Sequence, residues 1–323
     1  MPPTEQPDDE DMTRLRVTSI AWEAEGVVSL QLERPDRGVL PEWAPGAHID
    51  VRWQAGLERQ YSLCGDRADR SRWRLAVLRE LHGRGGSVYV HEQLRPGDLV
   101  QTRGPRNHFQ LADAGTYLFI AGGIGITPIL PMIAEVAAAG HRWRLVYGGR
   151  MRASMAFAAE LSRLGSNVTI HPEDEFGLLP LDSLLADPRP GMVVYCCGPE
   201  RLLAAAEARC RGWPDGAFHC ERFAPKPIDT AGQLDREIIV VLKRSRLELV
   251  VPTGESILEV IKQTGIGPAF SCEEGTCGTC ETTILEGIAD HRDSLLSEAE
   301  RTAGNTMMIC VSRALSDRLV LDL

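Results

Sequence analysis

Phe270-Ser271-Cys272-Glu273-Glu274-Gly275-Thr276-Cys277-Gly278-Thr279-Cys280 is the stretch on which the reading of this chain turns. Its cysteines follow the spacing C-x4-C-x2-C, and a fourth, Cys310, comes later within Met308-Ile309-Cys310-Val311. That is the spacing of a plant-type [2Fe–2S] site. Three thiolates on one short loop wrap a compact inorganic core, and the fourth closes it from a separate element. Gly275 and Gly278 permit backbone angles closed to other residues and let amide N–H groups point at sulfide. A zinc site or chance spacing is the alternative. Zinc favours paired C-x2-C knuckles, and only one such pair is present. Cys272, Cys277, Cys280 and Cys310 are therefore expected to be iron ligands.

The flanks fit a ferredoxin-like β-grasp. Residues 237–242 and 247–251 read as two strands of a hairpin that turns near Arg244-Ser245. Residues 255–261 carry apolar side chains at helical spacing, with Thr253 as the expected N-cap. Upstream, residues 224–233 are rich in Pro, Gly and small polar residues and read as a tether.

Further upstream, Tyr117-Leu118-Phe119-Ile120-Ala121 is an apolar strand that runs into Gly122-Gly123-Ile124-Gly125-Ile126-Thr127-Pro128 and then into helical periodicity. Strand, glycine-rich turn and helix together bring a pyrophosphate onto a helix N-terminus. Strands are also expected at 144–147, 168–170 and 192–196, the last running into Cys197-Gly198-Pro199-Glu200 and a helix from Leu202 to Arg209. Ligands of such open sheets bind at the C-terminal strand ends, where Gly125, Thr127 and Cys197 are expected to meet. Residues 14–109 instead alternate apolar and polar residues in many short strands, the pattern of an antiparallel barrel. Within them, Arg59-Gln60-Tyr61-Ser62 offers a cation, an aromatic and a hydroxyl on one strand, and Gly83-Arg84-Gly85-Gly86-Ser87 opens a helix over 88–94, a second anion site.

At 323 residues there is room for two or three domains. Apolar content of 43% and charged content of 25% are those of a soluble globular protein. A net charge of −10 argues against a nucleic-acid partner and permits docking to a basic protein patch, although it serves solubility equally. There is no apolar run of membrane length and no basic–apolar leader, so a cytoplasmic monomer off the membrane is expected. Nine cysteines cannot all pair. Cys64, Cys210 and Cys220 read as structural, as do His48, His82, His108 and His291.

In this order the motifs resemble the ferredoxin–NADP reductase superfamily, and within it the phthalate dioxygenase reductase type. The resemblance runs from about residue 12 to the end. It implies a multidomain protein of an antiparallel β-barrel flavin domain, a Rossmann-like α/β nucleotide domain and a β-grasp ferredoxin domain. The expected bounds are a disordered 1–11, FMN-binding 12–110, NAD-binding 111–224, linker 225–235 and ferredoxin 236–323. The resemblance also implies roles. Arg59 pairs with the FMN phosphate, which the amides of Gly85, Gly86 and Ser87 also hold. Tyr61 packs on the isoalloxazine ring, and Ser62 lies near flavin N5. Gly122, Gly123, Gly125, Thr127 and Pro128 form the nicotinamide-nucleotide loop, and Cys197, Gly198 and Pro199 the nicotinamide-side strand end. Phe223 covers the flavin until nicotinamide displaces it. Glu173 or Asp174 binds the adenosine ribose and favours NADH, although Arg150 could instead hold a phosphate. Tyr61 and Cys197 could also be packing residues, and Arg59 a surface cation. The type often has a Lys near Leu78, and Arg79 beside it is the cation on hand to compensate.

The implied activity is NADH to FMN to [2Fe–2S] to a terminal Rieske oxygenase that attacks an aromatic ring or removes an O- or N-methyl group, with Glu273, Glu274 and Glu281 as an acidic docking rim or merely a solvated surface. A cytochrome P450 is the alternative acceptor. An iron–sulfur redox-sensing module is the alternative of another class, against which the glycine-rich anion sites count.

Overall fold

The computed structural model describes residues 12–53, 57–226 and 235–323. The expected N-terminal lead-in and most of the tether lie outside them. The described chain forms two compact units, one ending at Glu221 and the other running from Arg222 to Leu323.

The first unit opens with six antiparallel strands: β1 (Thr13–Ala24), β2 (Val27–Glu33), β3 (His48–Arg52), β4 (Glu58–Ser62), β5 (Arg72–Leu78) and β6 (Leu99–Arg106), in the order β4-β3-β6-β1-β2-β5. Alternation sets the faces: Leu15, Val17, Leu30 and Leu32 are buried, whereas Arg14 and Arg16 face water. Gly26, at φ 74°, makes the tight turn between β1 and β2. Just past β4, the Cys64 amide donates to the Arg74 carbonyl of β5 at 2.9 Å and draws the sheet's two edges together. Helix α1 (Gly86–Glu92) follows β5, and starts two residues before the expected position because Gly85, at φ 89°, supplies the left-handed residue that precedes its first turn. Asp50 of β3 is fully buried between Arg103, Arg106 and Gln60. Burial works to raise its pKa, but the two guanidinium groups and the Gln60 amide outweigh it and hold the carboxyl below its usual range.

The same unit continues into a parallel sheet of β7 (Thr116–Gly122), β8 (Arg142–Gly149), β9 (Val168–Pro172), β10 (Met192–Cys197) and β11 (Phe218–Glu221), in the order β11-β10-β7-β8-β9. Helices α2 (Ile126–Ala138), α3 (Ala158–Ser162), α4 (Glu173–Phe176), α5 (Leu181–Leu184) and α6 (Glu200–Cys210) connect the strands. The central strands are continuous apolar runs because both faces are covered. Phe119, Tyr195 and Cys197 join a core that includes α2 and the barrel residues Ala24, Val27, Cys64, Ala76 and Phe109. Ile120, Val194 and Cys196 face the opposite core with α6. Arg74 reaches Glu23 and Glu160 and lies 4.6 Å over the Phe157 ring, joining the barrel to the α/β layer.

The second unit is a β-grasp. Strands β12 (Ile238–Leu242), β13 (Leu247–Val251), β14 (Glu281–Glu286), β16 (Thr306–Met308) and β18 (Arg318–Leu321) form one sheet, ordered β13-β12-β18-β14-β16, beside the short pair β15 (Ala289–Asp290) and β17 (Arg313–Ala314). Its helices are α7 (Ile257–Gln263) and α8 (Glu298–Ala303). The expected N-cap of α7, Thr253, is corrected to Ser256. A capping box wins the position: Ser256 Oγ accepts from the Glu259 amide, and the Glu259 carboxylate accepts from the Ser256 amide.

Candidate functional site

The cluster loop lies between α7 and β14. Cys272, Cys277, Cys280 and Cys310 are all buried free thiols. Cys272 lies within hydrogen-bonding reach of Cys277 and Cys310, and Cys280 of Cys310, so four sulfurs from two segments converge. The neighbouring thiols, then the Glu274 and Thr276 amides, draw the Cys272 thiol far below the usual thiol range. Those amides point at Cys272 Sγ from 3.3 and 3.5 Å, and the Thr279 amide at Cys277 Sγ from 3.5 Å. Gly275 and Gly278 have φ values of 69° and 74°, which makes this amide cradle possible. Four thiols with sulfur-directed amides fit a thiolate-ligated cluster. Of the acidic rim, Glu273 is already paired with Lys262 at 3.2 Å, and Lys262 lies 3.9 Å over the Phe270 ring.

On the barrel, Arg59 and Tyr61 share one face of β4, and Ser62 takes the other. Arg59 donates to the Arg84 carbonyl at 3.3 Å, which brings it to the loop that opens α1. A Cβ on Gly86 would meet Arg59 Cγ at 3.1 Å, so glycine lets the cation lie against the helix start. The Ser87 hydroxyl accepts from the Glu80 amide at 3.0 Å and pins that loop. Tyr61 packs edge-on to Trp53, with ring centroids 5.7 Å apart, and burial pushes its phenol up to about 12. Ser62 Oγ is buried with no partner among the described residues. A cation at glycine amides, an aromatic face and an orphaned hydroxyl fit a flavin phosphate and ring. The Arg79 guanidinium, beside Leu78, is paired with Glu92 of α1.

At the carboxyl ends of the parallel strands, three glycines let two loops meet backbone to backbone. A Cβ on Gly125 would lie 2.4 Å from the Cys197 carbonyl, one on Gly122 2.8 Å from Pro199, and one on Gly198 2.9 Å from Gly122. Thr127 is buried and spends its hydroxyl on the Ile124 carbonyl at 3.0 Å, holding the turn; Pro128 is buried in the first turn of α2. Gly125 and Cys197 thus lie against each other, and Thr127 stands two residues on in the same turn. Burial first, and then Glu221, push the Cys197 thiol well up, so it stays neutral. Beyond β9, the Asp174 amide donates to the Arg150 carbonyl at 3.2 Å, joining the Glu173–Asp174 corner to the residue after β8. Arg152 is clamped by Glu175 through two hydrogen bonds, at 2.9 and 2.7 Å.

Sequence reasoning missed Glu221. It pairs in register with Cys197, and its Oε2 is buried without a partner among the described residues. Burial pushes its carboxyl up to about 8 from an ordinary 4.5. The only available signal was its place at a strand's carboxyl end. The folded chain therefore holds the extra proton between those values, and stability falls as pH rises through that window. Glu221→Gln is expected to flatten the melting temperature between about pH 5 and about pH 8. Parallel melting-temperature curves for variant and wild type would contradict this.

Fold and sites define a class: a flavin- and nicotinamide-binding reductase carrying its own ferredoxin. Residues 240–315 match the family model for a 2Fe-2S iron-sulfur cluster binding domain, and residues 119–174 that for an oxidoreductase NAD-binding domain. The chain is 38% identical to phthalate dioxygenase reductase of Burkholderia cepacia, over 98% of this chain and 99% of that one. It is 40% identical to the phenoxybenzoate dioxygenase subunit beta of Ectopseudomonas oleovorans, over 96% and 97%. The crystal structure of an intact type IV self-sufficient cytochrome P450 monooxygenase matches with TM-score 0.91 and 42% identity, over 97% of this chain, which spans 41% of that longer one. The chain belongs to the phthalate dioxygenase reductase family. It is an oxidoreductase that carries electrons from NADH through FMN to a [2Fe–2S] centre. Among the described residues no helix is long and apolar enough to cross a membrane.

Proposed function

We propose that this reductase serves the terminal oxygenase of a Rieske non-haem-iron system. The supporting observation is the end-to-end match to a relative named for a dioxygenase. Bound FMN would supply the chemistry that turns the two-electron hydride of NADH into the single electrons a [2Fe–2S] centre accepts.

The chain's residues bind and orient. Arg59 and the amides of Gly85, Gly86 and Ser87 hold the FMN phosphate; Tyr61 packs on the ring, and the Ser62 hydroxyl hydrogen-bonds its polar edge. The loop from Gly122 through Gly123 and Gly125 to Thr127 and Pro128 seats the dinucleotide, with Cys197, Gly198 and Pro199 as the wall beside nicotinamide. Glu173 takes the adenosine ribose. Phe223, 47% exposed, is the aromatic that would cover the flavin until nicotinamide displaces it. Cys272, Cys277, Cys280 and Cys310 hold the iron.

Anaerobic NADH is expected to bleach both the flavin and the cluster bands, and the reduced protein to support a Rieske oxygenase. Protein inert to NADH sinks the reductase reading, and support of a P450 alone sinks the Rieske reading. The P450 alternative rests on the structural match to the fused monooxygenase. Arg59→Ala is expected to weaken FMN binding by roughly tenfold to a hundredfold, the value of a charge-assisted hydrogen bond. Flavin released on dilution, followed by fluorescence, measures it; unchanged retention would remove Arg59 from the phosphate site.

A further inference from the structure

Residues 150–162 take a course that neither the flavin seat nor the nucleotide loop requires. They leave the carboxyl end of β8 and run through α3 toward β9. On the way Phe157 adopts φ 61°, a left-handed conformation that bulky residues rarely take and that persists only where the surroundings enforce it. The enforcing contacts come from the barrel. Arg74 of β5 lies 4.6 Å over the Phe157 ring. The same guanidinium donates to Glu23 of β1 at 2.8 Å and pairs at 3.6 Å with Glu160, three residues after Phe157. Glu23 is itself held, because it accepts from the Ser29 hydroxyl at 2.6 Å. The Glu25 amide, in the turn between β1 and β2, donates to the Ala153 carbonyl at 2.9 Å.

The segment is equally fixed to the nucleotide sheet. Met155 fills the hollow over Gly149, where a Cβ would overlap Met155 Cγ. Arg152 is tied to Glu175, and the Arg150 carbonyl accepts from the Asp174 amide. Met155, Ala156 and Phe157 are buried in the apolar cluster that also holds Ala24, Val27, Cys64 and Ala76 of the barrel. One strap therefore grips the last residue of β8, at the ligand-binding edge of the parallel sheet, and strands β1 and β5 of the barrel. Both of its anchorages belong to the unit that ends at Glu221.

We propose that Phe157, clamped by Arg74, is a positioning residue for hydride transfer: the strap fixes the nucleotide sheet against the barrel and so sets the approach of nicotinamide to the flavin. This rests on the reductase reading above. In that step one hydride, with both its electrons, leaves NADH as NAD+ and reduces the flavin. The reacting atoms must come within about 3–3.5 Å, so a sheet that rocks on the barrel spends less time in the productive arrangement. Neither Phe157 nor Arg74 touches a cofactor in this scheme.

The test uses full-length holoprotein with Phe157→Leu, Arg74→Met and the double variant. Leucine keeps an apolar side chain and removes the ring; methionine keeps the stem and removes the cation. Stopped-flow bleaching of the flavin by saturating NADH is expected to slow at least about tenfold in each single variant, since a misplacement of about 1 Å can cost about a hundredfold. The double variant should be no slower than the slower single one, because both changes release the same clamp. The deuterium isotope effect with 4-deuterated NADH should rise, while FMN retention and the KM for NADH stay as in wild type. Arg74→Met leaves the ring in place and carries the test if Phe157→Leu does not fold. A lower melting temperature with a wild-type bleaching rate overturns the proposal, because the clamp would then only brace the fold. Loss of FMN, or a raised KM with an unchanged limiting rate, also overturns it, because the strap would then shape one seat rather than their alignment. Wild-type holoprotein whose flavin NADH does not bleach would instead overturn the reductase reading.

Discussion

Cys310→Ser is expected to leave a flavoprotein that still oxidises NADH with ferricyanide and no longer passes electrons to cytochrome c, with a loss of at least about a hundredfold. Cys310 is the ligand contributed from outside the loop, after β16, and it bridges toward both Cys272 and Cys280. Serine has the shape but not the soft thiolate that holds iron. The cluster absorption and its paramagnetic signal should disappear together with cytochrome c turnover. Retention of a full cluster signal would mean that another group closes the site, and the four-cysteine assignment would fail. The flavin domain has its own core, so the variant should keep its bound flavin.

The second large effect is at Gly125. One added methyl group meets the Cys197 carbonyl carbon and oxygen at 2.4 Å and the Gly198 amide at 2.6 Å, all backbone atoms that cannot rotate away. Gly125→Ala must therefore part the β7–α2 loop from the β10–α6 loop, where nicotinamide is to sit. A displacement of about 1 Å in a reacting geometry can cost about a hundredfold. NADH-driven turnover is expected to fall by at least that factor, while chemical reduction of the flavin by dithionite stays normal. Near-wild-type kcat/KM for NADH would show that the loops tolerate separation and do not define the site.

Much of this was legible in the sequence because the relevant signals are local. A thiolate loop needs its cysteines close together, a phosphate turn needs its glycines, and a doubly covered strand such as residues 117–121 reads as unbroken apolar sequence. What stayed hidden depends on tertiary neighbours. Thr253 and Ser256 are both acceptable caps, and only Glu259 three residues further on decides between them. Glu221 reads as an ordinary acid until burial leaves an oxygen without a partner among the described residues. Arg79 reads as a free cation until α1 brings Glu92 to it. Cys196 and Cys197 are adjacent in sequence, yet the pleat sends one to the α6 core and the other to the α2 core. Phe157 carries no motif at all; its place under Arg74 comes from the barrel.

The apolar cluster that runs from Ala24 and Phe109 of the barrel into Phe119 and Tyr195 of the parallel sheet has a consequence for how such a chain can be rearranged. The hydride donor's seat and its acceptor's seat are built on one continuous interior. A genetic cut between them would expose that interior on both fragments. A cut just after Glu221 crosses no part of it, because the ferredoxin unit closes around its own apolar centre. Recombination can therefore exchange or reposition the iron–sulfur unit as a cassette, whereas the flavin and nucleotide halves must be inherited as a single piece.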